Sequence, residues 1–204
     1  MAKRLFDLLL SSLGLLVLAP VLLLIALCVK LDSPGPVMFR QERVGRFGQP
    51  FRIHKFRTMR HVANLGAGQP SQGLQITVGA DRRITRVGGF LRASKLDELP
   101  QLLDVWLGDM SLVGPRPEVP RYVAHYPAAL RDKVLSVRPG ITDIASIEYR
   151  DESKVLARAA DPEQAYIHEV LPHKLALAAQ YVDQSSLWLD VRLIARTVLA
   201  IVGR

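Results

Sequence analysis

Between Asp7 and Lys30 the chain runs for 22 residues without a charge, LLLSSLGLLVLAPVLLLIALCV. As a straight helix this segment rises about 33 Å, enough to cross a hydrocarbon core roughly 30 Å thick. A secretory signal peptide fits poorly. The apolar run is too long, and no small-x-small cleavage site follows it, the next residues being Lys30, Leu31 and Asp32. A membrane helix is the plain reading, yet two features oppose a simple crossing. Pro20 falls mid-run, where it removes a backbone hydrogen bond and crowds the preceding turn. Both flanks are also basic. Lys3 and Arg4 precede the segment, and Lys30, Arg40, Arg43, Arg46, Arg52, Lys55, Arg57 and Arg60 follow it against only Asp32 and Glu42. Positive flanks favour the cytoplasmic side, so both ends are drawn to one face. A helix kinked at Ala19 and Pro20, entering and leaving by one leaflet, satisfies both features. An ordinary span stays open, because spanning helices tolerate proline.

The rest of the chain has the composition of a folded protein. Apolar residues make up 49% of the 204 and charged residues 23%, which excludes a disordered chain. The length suits one domain with an appended segment. Cys28 is the only cysteine, which excludes a disulfide framework, a multi-cysteine zinc site and an iron–sulfur cluster. The 27 Lys and Arg against 19 Asp and Glu leave a net charge of +8. That balance points to an anionic partner: nucleic acid, anionic lipid or a phosphorylated small molecule.

No internal repeat of solenoid length occurs. Asp32-Ser33-Pro34-Gly35-Pro36 ends the apolar segment. Residues 37–43 and 51–54 read as short strands around a Gly- and Pro-containing turn, a β-hairpin. Residues 61–80, rich in Gly, Gln, Asn and Ser, read as a mobile loop. A helix is expected over 99–107, then a turn-rich stretch over 108–120. Residues 155–160 and 166–182 show helical patterns interrupted by Asp161-Pro162 and by Pro172. Residues 187–202 form a broadly apolar helix with a narrow polar strip of Asp190, Arg192, Arg196 and Thr197. It is either a buried core helix or a helix at the membrane interface anchored by Trp188.

Three constellations could carry chemistry. In Ser94-Lys95-Leu96-Asp97-Glu98-Leu99-Pro100, the proline predicts a helix start near Asp97 or Glu98. Both carboxylates then sit at the positive end of the helix dipole, as ordinary caps or as functional groups. Arg92 and Lys95 lie close by, and a carboxylate beside a phosphate site can serve as nucleophile or as metal ligand. In Gly114-Pro115-Arg116-Pro117-Glu118, two prolines stiffen the backbone around Arg116, which then loses little entropy in forking onto a phosphate. The alternative is a rigid turn with a solvated arginine. The third segment, Phe51 to Met59, interleaves basic and aromatic residues, a pattern that suits single-stranded nucleic acid or lipid head groups. His54 has no second histidine at metal-ligand spacing, and no GxGxxG, Walker A or GxSxG motif occurs.

Taken together, these segments resemble the bacterial sugar transferase family, the small monotopic phosphoglycosyl transferases. The matching pieces begin with Lys3-Arg4-Leu5-Phe6-Asp7, the apolar segment with its central proline, and Ser33-Pro34-Gly35-Pro36-Val37-Met38-Phe39. They continue with Gln41-Glu42-Arg43-Val44-Gly45, Lys55-Phe56-Arg57-Thr58-Met59, and Leu96-Asp97-Glu98-Leu99-Pro100-Gln101. Met110 to Glu118 and Arg138-Pro139-Gly140-Ile141-Thr142 close the set. The resemblance implies transfer of a sugar-1-phosphate from a UDP-sugar to polyprenyl phosphate with release of UMP, initiating glycoconjugate assembly. It implies that Asp97 attacks the β-phosphorus to form an aspartyl-phosphosugar and that Glu98 is its partner in the dyad. It also implies Mg²⁺ at Asp97, and phosphate binding by Arg92, Arg116 and Lys55.

The implied fold is α+β and mainly helical. Residues 1–32 would form a re-entrant membrane helix bent at Pro20. Residues 33–204 would form a cytoplasmic, membrane-associated catalytic domain with a small β-hairpin and interfacial amphipathic helices. The resemblance further implies a minimal catalytic unit with no additional membrane domain in front, on the cytoplasmic face of the bacterial inner membrane. Its partners would be the UDP-sugar, polyprenyl phosphate and membrane lipids, with no nucleic acid; a homo-oligomer is compatible with it. One departure stands out. After Thr142 many members continue with glycine and small residues ending in Asn-Gly, whereas this chain reads Asp143-Ile144-Ala145-Ser146-Ile147-Glu148-Tyr149-Arg150-Asp151-Glu152. That leaves the dyad intact and the sugar unassigned. The rival readings, a membrane-tethered nucleic-acid binder and a non-catalytic lipid-binding scaffold, have no use for Asp97 and Glu98.

Overall fold

A computed structural model describes residues 1–60, 81–148 and 156–202. The loop expected over 61–80 and residues 149–152 of the divergent segment lie outside the described residues. The uncharged run and its flanks form one helix, α1 (Ala2–Asp32), which continues through Pro20. The hairpin follows as expected. Strands β1 (Met38–Val44) and β2 (Pro50–Phe56) pair antiparallel, with Met38 opposite Phe56 and Val44 opposite Pro50. Next come α2 (Arg86–Ser94), a tight 3-10 turn (Leu96–Glu98) and α3 (Gln101–Leu107). Strands β3 (Ser111–Val113) and β4 (Gly140–Thr142) pair in parallel, joined through α4 (Pro120–Val123) and α5 (Ala128–Val134). The chain continues with α6 (Ile144–Glu148), α7 (Pro162–Ala165), a π turn (Tyr166–Val170), α8 (Leu171–Gln184) and α9 (Leu187–Val202). The fold is α+β and mainly helical.

Three local expectations need correction. The turn-rich stretch 108–120 also holds an unforeseen strand, Ser111–Val113, three residues long and so too short to show alternation. Of residues 155–160, expected as helical, Val155 lies outside the described residues, Leu156 is helical, and the rest is turn and bend. Pro172 does not interrupt its helix. The π turn ahead of it, closed by the Leu171 N–H bonding to the Tyr166 carbonyl, absorbs the proline into the first turn of α8.

Both ends of α1 are fastened to the same body. At the start, Lys3 donates to the Val113 carbonyl at 3.0 Å and to Asp190 at 2.6 Å. Arg4 donates to the carbonyls of Val105 and Trp106, and Asp7 accepts from Ser111 Oγ and the Leu112 N–H. At the other end, the Arg57 guanidinium donates to the carbonyls of Val29, Ser33 and Pro34, and Asp32 accepts the Val87 N–H. Asp7, Ser11, Ile25 and Val29 are buried along one face of α1, whereas Leu5, Leu9, Leu16, Leu23, Leu27 and Leu31 stand exposed.

The largest core cluster lies between α4, α5, the π turn and α8, around Tyr122, Val134, Tyr166, Leu171 and Leu175. A second joins α1 to α2 and β2 through Ile25, Val29, Leu91 and Phe56. On α9 the polar strip is split. Asp190 and Leu193 are buried and Thr197 bonds Thr142, while Arg192 stacks over the exposed Trp188 ring and Val198 and Leu199 face outward. So α9 is neither wholly core nor wholly surface. It buries one side and presents an apolar, arginine-flanked side to the outside.

Candidate active site

The dyad sits where two helices meet. Lys95 closes α2 in a left-handed conformation (φ 60°), its N–H bonding back to the carbonyls of Arg92 and Leu91. The chain then turns through Leu96–Glu98, while Leu96 and Leu99 pack on the cluster beneath α1. The helix start expected near Asp97 or Glu98 is therefore displaced. Both carboxylates lie in the 3-10 turn, and α3 begins only at Gln101, with Pro100 as its cap. At seven residues α3 carries little dipole, so side chains, not a helix end, set the electrostatics of the pair.

Three other segments converge on that turn. Lys55 arrives on β2, which is pinned by the buried Asp104: its carboxylate accepts the His54 N–H at 2.9 Å and also bonds the His54 ring. Arg116 arrives at the end of β3. Gly114 and Gly140 let β3 and β4 cross in backbone contact, since a Cβ on Gly140 would lie 2.1 Å from the Gly114 nitrogen. The Arg116 N–H, between two prolines, is held by the Asp143 carboxylate at 3.2 Å. Arg92 comes from α2, with Nη1 3.4 Å from Thr58 Oγ1.

Glu98 is the anchored member of the dyad. Its Oε1 accepts from Lys55 Nζ at 2.8 Å and from Arg116 Nη2, and its Oε2 from Arg116 Nη1 at 3.2 Å. Burial alone would push its pKa up, but Arg116 and Lys55 outweigh that and hold the carboxyl well below the usual glutamate value. Arg116 thus forks onto Glu98 here, and the same fork is the geometry a phosphate would use. Asp97 behaves oppositely. Burial first, and the Glu98 charge second, push its pKa up, and its Oδ1 is buried with no hydrogen-bond partner. A buried, unpartnered carboxylate oxygen costs free energy unless something else uses it.

The expected site residues Lys55, Arg92, Asp97, Glu98 and Arg116 therefore come together. Pro20, the remaining expectation, lies within α1 and is exposed. A second clamp was not foreseen. Glu118, next to this site, is buried and bonds Tyr166, with Lys174 at 3.3 Å and Arg43 at 3.8 Å. Arg43 and Glu118 both lie in motifs noted in the sequence, but nothing local to Lys174 announces it. Asp143 likewise stood out only as a departure. Among the described residues no three His, Cys, Asp or Glu side chains gather as a metal cluster.

A family model for bacterial sugar transferases matches residues 1–204. The chain belongs to that family. Among its bacterial sugar transferase relatives is the UDP-glucose:undecaprenyl-phosphate glucose-1-phosphate transferase of Caulobacter vibrioides, 39% identical over 96% of this chain and 68% of the relative. The enzyme of the same name from Escherichia coli is 38% identical over 96% of this chain but only 39% of its own length. A UDP-N-acetylgalactosamine-undecaprenyl-phosphate N-acetylgalactosaminephosphotransferase of Aeromonas hydrophila is 37% identical over 98% of this chain and 43% of the relative. The relatives therefore act on different sugars, and the chain spans well under half the length of two of these three.

Proposed function

We propose that this chain transfers a sugar-1-phosphate from a UDP-sugar to polyprenyl phosphate, with Asp97 as the nucleophile. The observation that carries the reading is the buried, unpartnered Oδ1 of Asp97 beside a glutamate locked between two cations. A carboxylate oxygen of Asp97 attacks the β-phosphorus; an acyl-phosphate bond forms, the bond to the bridging oxygen breaks, and UMP leaves with the electron pair. An oxygen of polyprenyl phosphate then attacks the same phosphorus, forming the lipid diphosphate and returning Asp97 as carboxylate. Arg116 and Lys55, held ready by Glu98, and Arg92 beside Thr58 stabilise the charge that develops on the phosphoryl oxygens.

The same unpartnered Asp97 oxygen fits Mg²⁺, a cation that binds through one or two carboxylates plus substrate phosphates. Asp97 would hold it, and the ion would supply neutralisation of the diphosphate charge. We place α1 in one leaflet with both ends cytoplasmic and residues 33–204 on the cytoplasmic face of the bacterial inner membrane. The support is physical: a body tied by hydrogen bonds to both ends of α1 cannot sit on one side of a bilayer that α1 crosses. The exposed apolar faces of α1 and α9 are the surfaces a bilayer would cover.

The test is UMP release from a panel of UDP-sugars, in detergent with polyprenyl phosphate, by wild type and Asp97→Asn. Release with at least one sugar by wild type, and none by the variant, supports the reading. Release unaffected by Asp97→Asn refutes it.

A further inference from the structure

We propose that α2 is the seat of the acceptor lipid, with the exposed Phe90 taking the first isoprene units and the Lys95 ammonium taking the phosphate. This rests on the reading of Asp97 above and adds where the second substrate lies. One end of α2 is fastened to the end of α1: the Val87 N–H donates to Asp32 at 3.0 Å, and Val87 and Leu91 pack with Ile25 and Val29. The other end is Lys95, two residues before Asp97. A nine-residue helix covers about 13 Å, so α2 connects the membrane-facing helix to the dyad along one short path.

Two side chains on that path lack the partners their chemistry asks for. Phe90 is 65% exposed on α2. A UDP-sugar could offer it only the face of the uracil ring, whereas a polyprenyl phosphate presents a hydrocarbon chain and then one phosphate, in the order α2 presents an aromatic and then a cation. The Lys95 ammonium makes no hydrogen bond or ion pair among the described residues; only the backbone of Lys95 is bonded. Its ammonium is partly desolvated and feels Arg116, Glu98, Asp97 and Arg92. Lys55 and Arg116 are held by Glu98 and assigned to the phosphoryl group of the donor, which leaves Lys95 as a cation of this group open to a second phosphate. Its left-handed backbone suits glycine better than lysine, so the position carries strain of the kind found where a side chain has work to do.

The experiment uses the full-length enzyme, wild type, Phe90→Ser and Lys95→Gly. It measures the amplitude of UMP release without acceptor, and the KM for a long-chain and a short-chain polyprenyl phosphate. Phe90 is on the surface and glycine accepts φ 60° without strain, so both variants should fold. Both should keep an amplitude of about one UMP per site. Phe90→Ser should raise the KM for both lengths about tenfold, since both carry the first isoprene units, with Phe90→Leu restoring it; Lys95→Gly should also raise the KM for both lengths about tenfold, with Lys95→Arg restoring it. Unchanged acceptor KM in both variants overturns the proposal, as does an amplitude that falls in step with turnover, which would put both residues on the donor side. If wild type forms product without a UMP burst, the reading of Asp97 fails, yet the KM comparison still decides the role of α2.

Discussion

Asp97 and Glu98 are adjacent and both buried, and their pKa values are shifted in opposite directions because only Glu98 has cationic partners in contact. On the proposed reading Asp97 must be ionised to attack, so the first half-reaction should fade as pH drops through its raised pKa. The acid limb should therefore lie above the ordinary aspartate value of about 3.9. Glu98→Gln removes a charge that raises Asp97 and frees Lys55, which lowers it, so the limb should move to lower pH. A limb that stays put or moves up in the pH profile of UMP burst rates would contradict this. The stability sign follows from linkage. A carboxyl whose folded pKa exceeds its unfolded value binds its proton more tightly when folded. Stability is then lost as pH rises through that interval, and the penalty is full above it. Asp97→Asn should accordingly be inactive yet melt at or above the wild-type temperature at neutral pH. The dyad was legible in the sequence because both carboxylates and Pro100 are contiguous. The clamp on Glu98 was not, because Lys55 and Arg116 approach from 43 and 18 positions away.

The elements that position the site are short, and their tethers are single side chains. Lys3 illustrates the point: Asp190 is fully buried and shares its carboxylate between Lys3 and the Tyr181 hydroxyl at 2.7 Å. Lys3→Met leaves that charge with one neutral donor and should destabilise the protein by about 1–3 kcal/mol. Adding Asp190→Asn should recover most of the loss, seen as a partial return of Tm in detergent. Additive losses would mean the two side chains do not act as a pair. Periodicity found α1, the hairpin and α9, whose patterns run for seven residues or more. It missed β3 and β4, three residues each, which exist because Gly114 and Gly140 allow backbone contact that no hydrophobic pattern records.

At the scale of the whole molecule, α1 is a long apolar helix with both ends fastened to one folded body, and the proposed one-leaflet placement rests on those fastenings. Cysteines at Ala2 and at Pro36, in a Cys28→Ser background, should both be shielded from an impermeant thiol reagent in intact cells and both react after lysis. Ser33 is a poor reporter because it is buried against Arg57. Labelling of Ala2 but not Pro36 in intact cells would indicate an ordinary crossing and would require the Lys3 and Arg4 tethers to be broken. On the proposed reading, a water-soluble donor and a bilayer-held acceptor meet at one carboxylate, in turn. The most direct test of that sequence is intact mass measurement after incubation with UDP-sugar and no acceptor. The account predicts a gain of one sugar-phosphate per chain, mapped to Asp97, absent in Asp97→Asn and discharged by polyprenyl phosphate. Lipid-linked product formed at full rate with no adduct on Asp97 at any quench time would contradict it.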